Sequence, residues 1–129
     1  MVVRCRPEEP SFETGSEQAV WERLRGQLPQ GCVLLSNLRP TDAKKDHEAD
    51  LVVLAPGAGI VVLEVKGGSV RTDDEGRWWV RRRGREVASD PVEQARETKY
   101  ALRAYVERDP QWRDSSRIRV RWAHAVVCP

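Results

Sequence analysis

The sequence predicts an α/β protein of the α+β kind, with a central mixed β-sheet flanked by helices. Two apolar, β-branched runs, Leu51–Leu54 and Ile60–Lys66, are separated by a loop rich in proline and glycine, which is typical of a β-hairpin. Helix-start signatures lie on both sides of this hairpin, at Thr14 and at Asp90, and an alternating apolar segment follows the second of them. The expected order of elements is therefore helix, three strands, an outer β-hairpin, helix and strand.

The composition is that of a globular protein. The chain has 129 residues, of which 33% are charged and 40% hydrophobic, and its net charge is +2. We therefore expect a single domain over residues 1–129. No run has the length and apolarity of a membrane span or a signal peptide, so a cytoplasmic location is the default expectation. Because the sequence ends just after an apolar strand, we also expect a piece of a longer protein with possible fused domains.

The first helix is predicted to follow an extended lead-in of residues 1–13. Thr14 and Glu17 have the spacing of a capping box, and an apolar stripe that begins at Val20 lasts until Pro29. Glu17 projects from the same face as that stripe. Two interpretations remain open: its carboxylate caps the helix, which the spacing alone favours, or it points across the domain toward other acids.

The remaining elements follow from turn residues and periodicity. Proline, glycine and clusters of polar residues mark their boundaries, and Pro91 just after Asp90 is a strong helix start. The predicted elements are a strand at Cys32–Leu35, a polar loop over Ser36–Asp46, an outer hairpin within residues 70–88, a helix from Asp90 onward and a strand over Arg117–Val127.

Three ionisable residues interrupt the apolar central hairpin. If Leu54 pairs with Ile60, the register places Asp50 directly opposite Glu64, with Cβ atoms about 5 Å apart. Side chains alternate along a strand, so Lys66 lies on the same face as Glu64. Such charges are costly to bury unless they are paired with one another or bind a cation.

The pattern D-x13-E-x-K spans this hairpin from Asp50 to Lys66, and with it the chain resembles the PD-(D/E)xK nuclease superfamily. It is most similar to the nuclease-related domain (NERD) family, over Glu17–Val127. Two positions depart from the family pattern without removing a metal ligand: Ser16 stands where glycine is frequent, and Ala49 where the superfamily has proline. The motifs that carry the resemblance are Glu17-x-x-Val20-x-x-x-Leu24, Glu48-Ala49-Asp50, Leu63-Glu64-Val65-Lys66-Gly67, Trp79 and Asp90-Pro91-x-x-Gln94.

The resemblance implies a restriction-endonuclease-like core and a metal-dependent nuclease that hydrolyses phosphodiester bonds in DNA. Asp50 and Glu64 would bind Mg²⁺, for which Mn²⁺ is an alternative, and Glu17 is the candidate third carboxylate. The metal would polarise the phosphodiester and generate the attacking hydroxide. Lys66 would stabilise the developing negative charge. Gln94, near the start of the second helix, would orient water or phosphate.

Arginines around the outer hairpin are candidate nucleic-acid contacts. Arg81, Arg82 and Arg83 would bind phosphates without reading base sequence. Trp78 and Trp79 point to opposite faces of their strand, so we expect one in the core and one exposed; an exposed Trp79 would stack on an unpaired base. The alternative is that the arginines are solvated edge-strand charges that limit aggregation.

Each proposed role also has a structural alternative. Asp50, Glu64 and Lys66 would form a salt-bridge cluster at the end of the sheet. Gln94 would be a solvated helix residue, and Glu48 is expected to face solvent. For the whole chain, the alternative to an enzyme is a nucleic-acid-binding or assembly module that retains the nuclease fold without cleaving. The intact acids and lysine favour the enzyme.

Overall fold

The computed structural model describes residues 3–40 and 45–129, which form two β-sheets and several helices. In chain order the strands are β1 (Arg4–Arg6), β2 (Val33–Leu38), β3 (Ala49–Ala55), β4 (Gly59–Val65), β5 (Val70–Thr72), β6 (Trp78–Arg82), β7 (Arg85–Ala88) and β8 (Trp122–Val127). The larger sheet is mixed and has the order β1-β2-β3-β4-β8, and the smaller has the order β5-β6-β7. This architecture confirms the predicted α/β class and is compatible with a restriction-endonuclease-like core.

The two long helices begin where their capping residues predict. The backbone N–H of Glu17 donates to Oγ1 of Thr14 over 3.2 Å, and that of Glu93 donates to Oδ1 of Asp90 over 3.0 Å. No helix within the described residues combines the length and apolarity that a membrane crossing requires. The helices are α1 (Gly15–Gln27), α2 (Pro91–Glu107), α3 (Pro110–Arg113) and a 3₁₀ helix at Ser116–Arg119.

Helices α1 and α2 cover opposite faces of the larger sheet. Side chains alternate between the two faces of a strand, so apart from Asp50 and Glu64 both β3 and β4 are apolar, because both of their faces are buried. One core cluster joins Val20 and Trp21 of α1 to Leu51, Val53, Leu63 and Val65, and a second joins Leu102 of α2 to Val52, Ile60 and Val62.

The central hairpin has the predicted register. Leu54 of β3 pairs with Ile60 of β4, and the pairing continues without interruption toward the other end of the strands. The pairing ends with Leu51 opposite Leu63, and Asp50 and Glu64 are the next residues along the two strands. The turn that joins the strands comprises residues 56–58 and lies at the opposite end of the hairpin.

In the N-terminal part, two segments belong to strands that the sequence did not predict. Arg4–Arg6, which fall in the predicted lead-in, pair in parallel with β2. Only Cys5 of these is buried, and three residues are too few to show a periodicity. Strand β2 continues through Leu38, where a loop over Ser36–Asp46 was predicted, because these residues pair with β3. Residues 41–44 of that loop lie outside the described part of the chain.

The last predicted strand, Arg117–Val127, is shorter than expected. Its first residues belong to the 3₁₀ helix, which is capped by Ser115: the Ser115 hydroxyl accepts a hydrogen bond from the backbone N–H of Arg117. Strand β8 begins at Trp122 and lies at the edge of the sheet, in parallel with β4. Ala123 and Ala125 are exposed on it, so an apolar composition did not mean a fully buried strand.

A close contact between Ser16 and Gly67 fixes the start of α1 against the end of β4. A Cβ atom on Gly67 would lie 2.8 Å from the Cβ of Ser16 and closer still to its hydroxyl oxygen. Gly67 is therefore required by the approach of the helix. The contact also brings Glu17, the next residue of α1, toward Lys66, the residue before Gly67.

Substituting Gly67 with alanine is expected to destabilise the protein by about 1–3 kcal/mol, because the added methyl group overlaps Ser16. Adding Ser16→Gly should recover most of that loss, less about 0.5–1 kcal/mol for the extra helical glycine. The free energy of unfolding in urea measures both effects. A double variant no more stable than Gly67→Ala alone would show that the contact with Ser16 is not the cause.

Candidate active site

A cavity of about 510 Å³ lies at the edge of the larger sheet where β3 begins and β4 ends. The first turn of α1 and strand β6 complete its walls. Four of the five predicted catalytic residues, Glu17, Asp50, Glu64 and Lys66, meet in this one place. Its charged lining consists of five carboxylates and three cations: Glu13, Glu17, Glu48, Asp50 and Glu64, with Lys66, Arg81 and Arg82.

Asp50 is held in place by a hydrogen bond from the neighbouring strand. The backbone N–H of Val65 donates to its Oδ2 over 2.8 Å, and the residue is only 7% exposed. Burial raises the pKa of the Asp50 carboxyl, and the hydrogen bond from Val65 opposes that rise. One carboxylate oxygen is thus engaged by the sheet, which orients the other oxygen.

Glu64 and Lys66 form a largely buried ion pair. Nζ of Lys66 lies 3.3 Å from Oε1 of Glu64, and the two side chains are 12% and 13% exposed. Burial, and after it the charge of Asp50, raises the pKa of Glu64 to about 7, while Lys66 opposes the rise. The lysine therefore offsets only part of the cost of placing two carboxylates side by side.

Glu17 reaches the cavity from the first turn of α1. The residue is 8% exposed, and its Oε2 is buried without a hydrogen-bond partner among the described residues. Burial first, and the charge of Asp50 second, raise the pKa of Glu17, while a hydrogen bond with the backbone of Glu13 lowers it. Glu17 thus contacts the chain just before the helix and is also electrostatically coupled to Asp50, so its two interpretations are compatible.

Glu48 lines the same cavity and does not face solvent, contrary to what its sequence position predicts. It is half-buried, and after the effect of burial its charge contributes to raising the pKa values of Glu17, Asp50 and Glu64. It precedes Asp50 by two residues, which is the spacing of side chains on one strand face. Extending that alternation backward from Asp50, to the residue before β3, would have predicted the position of Glu48.

The donor atoms in this cavity suit a hard divalent cation, since Mg²⁺ prefers carboxylate oxygens. Within residues 3–40 and 45–129, no group of three or more His, Cys, Asp or Glu side chains is already arranged closely enough to hold a metal ion. The buried, unpartnered Oε2 of Glu17 is nevertheless the kind of atom that a cation would satisfy. The residues fit such an ion chemically, and binding would require the carboxylates to close around it.

Gln94 is not brought to this cavity. It lies in the first turn of α2, where its backbone N–H donates to the carbonyl oxygen of Asp90 over 3.0 Å, and its side chain is exposed. The side chains that line the cavity do not include it. Its position is that of a solvated helix residue.

The predicted nucleic-acid contacts are only partly at the cavity. Arg81 and Arg82 line it, and Arg83 lies further out, exposed, at the end of β6. Trp78 and Trp79 are both half-buried, so the expected division into one core and one exposed ring is wrong.

Trp79 is held by its own sheet. Its indole N–H donates to Asp73 over 3.0 Å, and the guanidinium groups of Arg71 and Arg77 lie 5.6 and 6.0 Å from its ring centroid. These contacts engage the indole N–H and place two cations against the ring. They support a structural role for Trp79 rather than base stacking.

The family comparison agrees with the resemblance carried by the motifs. A family model described as the nuclease-related domain, NERD, matches residues 13–128. That span includes all of the cavity residues. No curated protein and no solved structure gives a significant match to the chain.

Proposed function

The chain belongs to the nuclease-related domain family, and on that premise we propose that it is a metal-dependent nuclease domain that hydrolyses phosphodiester bonds in DNA. The observation that carries the proposal is the convergence of Glu17, Asp50 and Glu64 in one cavity with Lys66. A purely structural salt-bridge cluster would pair its buried oxygens internally, whereas Oε2 of Glu17 has no partner in the described residues.

Asp50, Glu64 and Glu17 are the residues that would hold the ion. Mg²⁺ usually takes one or two protein carboxylates together with waters and substrate phosphate, and Mn²⁺ accepts the same ligands. When bound, the ion supplies Lewis-acid polarisation of a phosphoryl oxygen and activation of water. The free oxygen of Asp50 and the unpartnered oxygen of Glu17 are the acceptors that this arrangement leaves open.

Lys66 supplies a fixed positive charge. Its ammonium group is held 3.3 Å from Glu64 in a largely buried position, where electrostatic interactions are stronger than in water. A phosphate in the cavity would accept a hydrogen bond from it, and the charge that develops on the phosphoryl oxygens during hydrolysis would be stabilised by a group that is already in place.

DNA is proposed as the substrate from the family resemblance together with the charge around the cavity. Arg81 and Arg82 stand at its wall, beside the carboxylates. Cationic side chains in this position can neutralise backbone phosphates and bind them without reading base sequence.

The direct test is cleavage of plasmid and single-stranded DNA with and without Mg²⁺ or Mn²⁺. The wild-type protein is expected to cleave only with the metal and to stop when EDTA is added. Lys66→Ala should lower the rate by about 100-fold or more, because a preorganised charge is lost. Lys99→Ala removes the same charge from α2, away from the cavity, and should cleave like the wild type.

The same experiment separates the enzyme from a non-catalytic module. A protein that binds DNA but shows equal background cleavage in the wild type and in Lys66→Ala would be a binding or assembly module. Cleavage that persists in EDTA would contradict the metal requirement.

A further inference from the structure

The turn between β6 and β7 carries a group of arginines in an unfavourable local setting. We define the arginine tip as Arg81, Arg82, Arg83 and Arg85. The two turn residues, Arg83 and Gly84, have φ angles of 51° and 76°. A two-residue turn with both φ angles positive favours Asn-Gly, and an arginine in the left-handed region costs about 1 kcal/mol.

Charge makes this turn less favourable still. Arg82 lies directly opposite Arg85 in the strand pairing, and like charges at opposed positions are destabilising. Arg81 lies opposite Glu86, but the Glu86 carboxylate is bonded to Nε and Nη2 of Arg71 at 2.8 and 2.6 Å. In the part of the chain that the structure describes, none of the arginine-tip residues forms an ion pair.

The base of the hairpin is, in contrast, well fixed. Asp73, in the turn before β6, accepts hydrogen bonds from the indole of Trp79 and from the guanidinium of Arg77, both over 3.0 Å. The bidentate pair of Arg71 and Glu86 ties β5 to β7 across the intervening strand. The arginine tip is thus held by a rigid support in a position that local energetics do not favour, a combination expected at functional sites.

The support also sets how far the arginine tip extends from the cavity. Arg81 and Arg82 line the cavity together with Val80, and Arg83, in the turn beyond β6, follows Val80 by three residues. At about 3.3 Å per residue this is about 10 Å. Because one strand of a DNA duplex advances about 3.4 Å per nucleotide, a phosphate about three nucleotides from the scissile bond would reach Arg83, while Arg81 and Arg82 would meet phosphates closer to it.

We propose that the arginine tip binds the phosphate backbone of double-stranded DNA beside the cavity and so selects duplex over single strands. This inference rests on the proposed nuclease function. A two-stranded β-ribbon has the width of a duplex groove, and Arg82 with Arg85 project from one face of the ribbon while Arg81 projects from the other. Single-strand binding instead uses exposed aromatic rings, and both tryptophans of this sheet are half-buried.

The test measures binding of a fluorescent duplex longer than one helical turn, in EDTA so that it is not cleaved, between about 50 and 200 mM salt. The triple variant Arg82→Ala, Arg83→Ala, Arg85→Ala is expected to bind at least about tenfold more weakly at low salt. Its slope of log affinity against log salt should be smaller by about 2.7, since each phosphate contact contributes about 0.9.

The matched control removes three arginines elsewhere. Arg117→Ala, Arg119→Ala, Arg121→Ala makes the same change in net charge around and beyond the 3₁₀ helix, at the opposite end of the central hairpin. It should bind like the wild type. If the two triple variants lost the same duplex affinity, the effect would come from net charge alone and the proposal would be overturned.

A single substitution guards against misfolding. Arg83→Asn introduces a residue that the turn favours, so it should raise the melting temperature. It also removes one positive charge, so it should weaken duplex binding. Unchanged duplex affinity in both tip variants would overturn the inference, as would equal affinity for single strands or for vesicles of anionic lipid. In those cases, metal-dependent cleavage by the wild type would still support the proposed nuclease function. A wild type that neither binds nor cleaves DNA would contradict both the nuclease function and duplex binding by the arginine tip.

Discussion

Replacing Asp50 with asparagine is expected to abolish metal-dependent cleavage while leaving the protein folded. The Oδ1 of an asparagine can still accept the backbone N–H of Val65, as Oδ2 of Asp50 does at 2.8 Å. Its amide nitrogen, however, would stand where the free carboxylate oxygen stands now, and an amide N–H₂ cannot bind a cation. The cleavage rate should fall by about 100-fold or more, and the rise in melting temperature caused by Mg²⁺ should disappear.

Two comparisons sharpen this result. Asp50→Ala also loses the hydrogen bond to Val65 and leaves a buried N–H unpaired, so it should be less stable than Asp50→Asn by about 1–3 kcal/mol. Asp114→Asn makes the same chemical change at an exposed position outside the cavity and should alter neither rate nor metal response. An Asp50→Asn protein that still gains stability from Mg²⁺ would exclude Asp50 as a ligand.

The metal-free protein is expected to lose stability as pH rises from about 4.5 to about 7. Burial and the charge of Asp50 raise the pKa of Glu64 from 4.5 to about 7 in the folded state. Over this interval the folded protein binds more protons than the unfolded chain, so the free energy of unfolding falls with increasing pH. Because one pKa unit is worth about 1.4 kcal/mol, the contribution of Glu64 is about 3 kcal/mol.

Urea unfolding in EDTA at pH values below and above this interval measures the loss. Glu64→Gln cannot ionise, so its stability should change less over the same range, and the difference between the two proteins isolates Glu64. Mg²⁺ should reverse the trend, since a cation competes with protons for the same oxygens and binds more tightly as pH rises. If the wild type and Glu64→Gln showed the same pH dependence without metal, the buried carboxylate would not be the origin.

Much of the fold follows from local patterns. The hairpin register was predictable because the apolar runs of β3 and β4 flank a short turn that permits few alignments. The starts of α1 and α2 were predictable because Thr14 and Asp90 are capping residues in standard positions. Strand β1 was not predictable, because it is defined by its pairing with β2, a distant segment of the chain. The 3₁₀ helix at Ser116–Arg119 was not predicted because its apolar and charged residues alternate as they do in a strand.

For the site, too, residues set by local patterns were predictable and residues set by distant contacts were not. Asp50, Glu64 and Lys66 were predictable because they belong to one hairpin whose geometry is regular. Glu48 was missed because the strand periodicity was not carried past the edge of β3. Gln94 depends on how α2 is rotated against the sheet, which its own sequence does not specify. The surroundings of Trp79 depend on residues from other strands and turns, which a single strand pattern cannot show.

Because Asp50 on β3 is held by the backbone of Val65 on β4, the geometry of the cavity depends on how these two strands are aligned. A slip of one residue between β3 and β4 would send every side chain to the opposite face, and Asp50 would lose both its backbone donor and its neighbour Glu64. The alignment is set by the turn at residues 56–58, which lies about 20 Å away at about 3.3 Å per residue. The length of that distant loop therefore decides whether the two carboxylates meet.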